Sequence, residues 1–156
     1  MGKGMSLIEF FLENKQIQLW DEHLSLKQRE LLLGLSGSAK SLAIASSVKY
    51  QNKILVMTST YGEAERLVND LISILGTDIV YPFLVDDSPM LEFLVSSQEK
   101  IFSRVEALRF LRDKSQKGIL VCNMAASRLF LPDPQVFDNS VLKLEVGEEC
   151  EQRELK

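Results

Sequence analysis

From Glu30 onward, short apolar runs alternate with helical patterns, and no other feature restricts the fold of this chain as much. Residues 53–59 (KILVMTS) are apolar without a polar face and end in turn residues, as in a strand buried on both sides. Residues 62–75 place Ala64, Leu67, Val68, Leu71, Ile72 and Leu75 on one helical face, and Gly76 follows as a stop signal. A third short strand is expected at 78–81, closed by Pro82, and residues 83–94 read as an irregular loop. Ser96 with Glu99 opens a further helix whose buried stripe is expected to be Ile101, Val105, Leu108 and Leu111, and 118–122 (GILVC) is a fourth strand. Strand and helix in alternation predict an α/β fold, a parallel sheet with helices on its faces joined by right-handed crossovers.

The apolar stretch 30–33 reads as the first strand of that sheet, and it runs into Gly34-Leu35-Ser36-Gly37-Ser38-Ala39-Lys40-Ser41. The phosphate-binding pattern G-x-x-x-x-G-K-[ST] needs glycine where this chain has Ala39. In a working loop of this kind backbone N–H groups wrap the phosphates, the lysine reaches the terminal phosphates and the Ser/Thr hydroxyl holds magnesium. Gly34 and Gly37 permit the tight turn, and Lys40 and Ser41 stand where that chemistry wants them. A left-handed backbone at Ala39 would cost about 1–2 kcal/mol, which weakens binding without abolishing it.

The carboxylates of an NTPase are harder to find. Hydrolysis needs an acid at the end of a downstream strand to hold magnesium, usually with a second to position water. The strand at 118–122 ends in Asn123 and Met124, and only the loop residues Asp86 and Asp87 stand in any suitable place. Asp21-Glu22-His23 imitates part of a helicase DExH box but precedes the loop and follows no buried strand, so His23 reads as a surface or partly packed histidine. The loop as a whole reads as a strand-to-helix turn.

Composition excludes several classes. The 156 residues suit one core, and no apolar run approaches the roughly 20 residues of a membrane helix. With 22 acidic against 18 basic residues and no Lys/Arg cluster, direct nucleic-acid binding by this piece is not expected. Cys122 and Cys150 have neither metal nor redox spacing, which fits a reduced, cytoplasmic protein. Residues 1–26 read as an N-terminal helical segment, with a docking helix over 6–14; the second methionine, Met5, marks residues 1–4 as a cloning remnant. Residues 140–146 alternate apolar and polar positions, as in a half-buried strand of a different sheet, before a charged tail with little to bury. That ending reads as a truncation inside a second domain, with the α/β domain spanning 27–139.

Residues 31–45 (LLLGLSGSAKSLAIA), 54–61 (ILVMTSTY), the helix over 104–112 and 142–147 (LKLEVG), taken in order, resemble the start of the bacterial transcription-repair coupling factors (Mfd). That region is in turn similar to UvrB of nucleotide excision repair. The resemblance implies a RecA-like half-domain (P-loop NTPase-like, similar to UvrB domain 1a) followed by the first strand and helix of a small UvrA-binding domain. It further implies a degenerate, vestigial loop at Gly34, Gly37, Lys40 and Ser41, and no catalysis, cofactor or metal for this fragment. ATP, magnesium and DNA translocation would belong to motor domains outside this chain. The family's partners would be UvrA, mainly through the second domain, with stalled RNA polymerase and DNA engaged by other domains. Two other readings remain: a P-loop nucleotide-binding protein or NTPase using Lys40 and Ser41, and a flavodoxin-like domain gripping an anion at its strand ends.

Overall fold

The computed structural model of the chain describes residues 11–86 and 98–140. The expected helix over 6–14 lies mostly outside them, as do most of the loop at 83–94 and the strand and tail after Ser140.

The described chain is an α/β unit of five α-helices on a three-stranded, wholly parallel sheet. Helix α1 (Lys15–Ser25) is capped by Asn14, whose side chain accepts the Gln16 N–H, and it buries Ile17 and Asp21. Helix α2 (Ala39–Ser47) leads to strand β1 (Lys53–Thr58). Helix α3 (Tyr61–Leu75) follows, with Thr60 accepting the Glu63 N–H at its start. Gly76 ends α3 at φ +87°, a backbone that costs glycine nothing. Strand β2 (Val80–Phe83), helix α4 (Gln98–Arg112) and strand β3 (Gly118–Asn123) complete the sheet. A 3-10 turn (Ala126–Arg128) follows β3. The short α5 (Pro134–Asn139) then starts on Pro134, with Asp133 as its cap.

The strand order is β1-β3-β2, so β3, the last strand in sequence, is the centre and is buried along its whole length. Helices α2 and α3 cover one face, where Ala45, Ala64, Val68 and Leu71 meet Val80, Ile119 and Val121. Helix α4 covers the other, where Ala107 and Phe110 meet Phe83, Leu120 and Cys122, and the Phe110 ring stacks on Tyr81 at 4.2 Å. At the start of β3 a Cβ on Gly118 would stand 2.6 Å from the Ile79 carbonyl oxygen, so only glycine lets β2 approach there.

Three expectations need correction. Residues 30–33 form no strand: Leu31 and Leu33 are 79% and 81% exposed, and no described segment pairs with them. A strand exists only through a neighbour's hydrogen bonds, and apolar composition cannot supply one. Strand β2 runs through Pro82 instead of ending before it, which an edge strand tolerates because the missing N–H is not needed. On α4 the buried residues are Ala107 and Phe110, while Ile101, Val105 and Leu111 remain exposed and Leu108 is only partly buried.

Candidate functional site

The loop preceding α2 has the tight backbone that its glycines allow. Gly34 and Gly37 adopt φ of +80° and +53°, in the left-handed region that favours glycine, and nothing lies within 4 Å of a Cβ built on either. Ser38 has ordinary right-handed geometry and makes no side-chain cap. Ala39 is the first residue of α2, so its methyl group meets no left-handed penalty. The position that breaks the phosphate pattern is therefore conformationally harmless here, and the loop turns at Gly34 and Gly37.

The two residues that would carry phosphate chemistry part company. Lys40 is exposed at the start of α2. Ser41 is 2% exposed and faces α3, where its Oγ donates a 2.7 Å hydrogen bond to Asp70 Oδ2. A hydroxyl committed to a carboxylate at a helix–helix contact is not presented to a metal above the loop. Asp70, 29 residues away, carries no motif that marks it in the sequence; only its place on the α3 turn beside α2 gives it this role.

The carboxyl end of β3, where an NTPase would place its acid, is occupied by Asn123, which is fully buried. Its Oδ1 accepts the Val85 N–H at 3.1 Å and its Nδ2 donates to the Val85 carbonyl at 2.7 Å. The side chain thereby mimics one rung of a ladder and fixes the backbone after β2. Asp86 follows that anchored residue, and its charge, with that of Glu65, adds to burial in raising the Tyr61 phenol above its ordinary value. Asp87 lies outside the described residues. No cluster of three or more His, Cys, Asp or Glu side chains is arranged to hold a metal among the described residues.

The Asp21-Glu22-His23 triplet lies on α1, away from any strand end. His23 Nδ1 sits 2.6 Å from Glu30 Oε1, a half-exposed contact that ties the end of α1 to the following segment. Asp21 is 3% exposed with Oδ1 unpartnered, and burial pushes its carboxyl above the ordinary value while the charge of Lys49 opposes the shift. Cys122 is likewise a buried thiol pushed up by desolvation, as a core residue would be.

Two cavities lie away from the loop. One, of about 400 Å³, opens between α3 and α4 beyond β2 and includes Tyr61, Glu65, Lys100 and Arg104. The other, of about 550 Å³, lies between α4 and α5 beside the Arg112–Asp138 ion pair. Neither is lined by a residue of 34–41.

No family model matches the chain, and no solved structure matches it significantly. Curated proteins do. The transcription-repair-coupling factor of Bacillus subtilis (strain 168) is 31% identical over 134 residues, 85% of this chain and 11% of that protein. The transcription-repair-coupling factor of Staphylococcus aureus (strain bovine RF122 / ET3-1) is 27% identical over 122 residues, 78% of this chain and 10% of its own length. The chain thus spans about a tenth of the curated relatives it matches. No described helix is long and apolar enough to cross a membrane. A single α/β unit with this match along most of its length is homologous to a region of transcription-repair coupling factor.

Proposed function

We propose that this chain is a non-catalytic interaction module of a cytoplasmic transcription-repair coupling factor, the UvrB-like N-terminal part that serves recruitment of UvrA. In this reading residues 27–139 are a degenerate RecA-like half-domain, 1–26 an N-terminal helical segment, and 140–156 the start of the UvrA-binding-type domain. ATP and magnesium belong to the parent protein's motor, an ATP-dependent DNA translocase that displaces stalled RNA polymerase, and the loop at Gly34, Gly37, Lys40 and Ser41 is vestigial. The observation that carries the non-catalytic part is the Ser41–Asp70 hydrogen bond: the hydroxyl that would hold magnesium is spent on packing α2 against α3. Asn123, bound through its amide to Val85 where an acid would be needed, supports the same reading.

Calorimetric titration of the chain with Mg-ATP is expected to show no binding at micromolar concentrations and no turnover. A micromolar dissociation constant that disappears in Lys40→Ala would replace this reading with a P-loop nucleotide-binding protein or NTPase. That alternative has one observation in its favour, the exposed Lys40 at the start of α2 beside two glycines in left-handed geometry. Recruitment is tested by pull-down of UvrA with the gene product carrying this chain and with the same product lacking residues 27–156. Equal capture by both would remove the recruitment role.

A further inference from the structure

The cavity beside the outer edge of β2 holds a cation that forms no ion pair. Val68 and Asn69 of α3, Pro82 and Leu84 at the end of β2, and Lys100 and Arg104 of α4 line its volume of about 400 Å³. Arg104 is partly buried. Its Nε is shut off from water without an acceptor, and its Nη2 makes one long bond, of 3.4 Å, to the Leu84 carbonyl. Glu65 and Glu99 border the same cavity, yet none of the ion pairs among the described residues includes Arg104. A guanidinium is a planar fork of N–H donors that stays charged at any physiological pH. Held partly out of water with one weak acceptor, it has a desolvation cost that an arriving anion offsets.

The floor of the cavity adds an acceptor. The Ile79 carbonyl accepts the Ile119 N–H, so the odd-numbered carbonyls of β2 aim at β3. Alternation turns the Pro82 and Leu84 carbonyls outward, and the bond from Arg104 to Leu84 agrees with that direction. Pro82 has no N–H, so a continuous ladder cannot form on this edge. What remains is a carbonyl acceptor with the apolar side chains of Val68 and Leu84 beside it. Charge then sorts the anions. Glu65 and Glu99 offset Lys100 and Arg104 on the lining, so a polyphosphate meets repulsion as well as attraction, whereas a single carboxylate suits Arg104. A free anion of one charge uses only the guanidinium. A peptide also brings an N–H for the Pro82 carbonyl and aliphatic carbon for Val68 and Leu84.

We propose that this cavity is a docking site for an acidic peptide of a partner protein: a carboxylate of the peptide pairs with the Arg104 guanidinium, and one of its N–H groups donates to the Pro82 carbonyl. The carboxylate comes from an Asp or Glu side chain or from a chain terminus, which present the same group. The site lies wholly on α3, β2 and α4 and makes no use of the segment after Ser140. It therefore goes beyond UvrA recruitment and stands if that role falls.

The test is saturation-transfer NMR of the natural gene product with three probes: N-acetyl-Ala-Glu-Ala-amide, N-acetyl-trialanine with a free C-terminus, and N-acetyl-trialanine amide. At least one of the two acids is expected to bind and the amide is not, with Arg104→Gln weakening the bound acid about tenfold or more. Binding of the glutamyl probe assigns a side-chain carboxylate, and binding of the free-terminus probe assigns a chain end. A second readout needs no variant: in the isotopically labelled chain the Arg104 Nε–H resonance is expected to move with the same probe. Failure of both acids to bind, equal binding of the amide, undiminished binding to Arg104→Gln, or inorganic phosphate moving the Arg104 resonance as far as the acids do would each overturn the proposal.

Discussion

The two faces of the sheet are built from the same strands and are closed to different extents. Under α2 and α3 all three strands contribute side chains to one core, from Ile54 and Val56 on β1 through Ile119 and Val121 on β3 to Val80 on β2. Under α4 the core takes residues from β3 and β2 but leaves Leu55 and Met57 bare. Neighbouring residues of one strand, equally apolar in sequence, therefore differ in what they stabilise. Burial converts apolar area into stability at about 25 cal/mol per Å², and an exposed leucine contributes little until something covers it.

The largest expected effect tests that asymmetry directly. Leu71 is fully buried on the closed face, so Leu71→Ala should cost about 3–4 kcal/mol in urea unfolding of the chain. Leu55→Ala on the open face should stay within about 0.5 kcal/mol in the same assay; a loss comparable to that of Leu71→Ala would mean the two faces are alike. Next is the place where both faces meet the end of β3. Asn123→Ala removes both bonds to Val85 and leaves two buried backbone groups unpaired, an expected loss of about 2–3 kcal/mol by the same measurement. Gly118→Ala forces a Cβ against the Ile79 carbonyl and should cost about 1–3 kcal/mol, with β2 exchanging its amide protons faster than β1.

The smallest effect belongs to α1, through Asp21. Its folded-state carboxyl is raised above the ordinary value of 3.8, so the folded chain holds that proton to higher pH than the unfolded chain does. Its contribution to stability should therefore rise as pH falls from neutral through the folded value towards 3.8, and level off below. Asp21→Asn should flatten that part of a pH–stability profile and raise the midpoint of thermal unfolding at pH 7. An unchanged profile would place the orphaned carboxylate in contact with water.

How far the sequence could be read varied with the source of each constraint. Helix α3 was legible throughout, its cap, its stripe and its stop at Gly76, because all three signals lie within one turn of the backbone they fix. Helix α4 was not, since it carries two apolar flanks: Ile101, Leu108 and Leu111 match a helical period as well as Ala107 and Phe110 do. Periodicity cannot say which flank meets a sheet. The stretch 30–33 looked like a strand on composition alone and has no partner among the described residues. At the loop, the glycines are legible as turn residues, whereas the helical backbone of Ala39 follows from where the helix begins and not from the motif. Ser41 kept its place in the motif and gave its hydroxyl to Asp70.

By itself the sequence determined the alternation of strand and helix, the parallel class of sheet, the Asn123 end of β3 and the likeness to coupling factors. Each of these follows from residue type and short-range spacing. Only the tertiary structure decided that β3 would be the centre of the described sheet, that Asn123 would bind Val85, that Ser41 would bind Asp70 and that β1 would pair on one side only among the described residues. Those depend on contacts between residues from 29 to 65 positions apart (Ser41 to Asp70, Lys53 to Gly118), whose closure is decided by the packing of the whole unit and leaves no local mark on the chain.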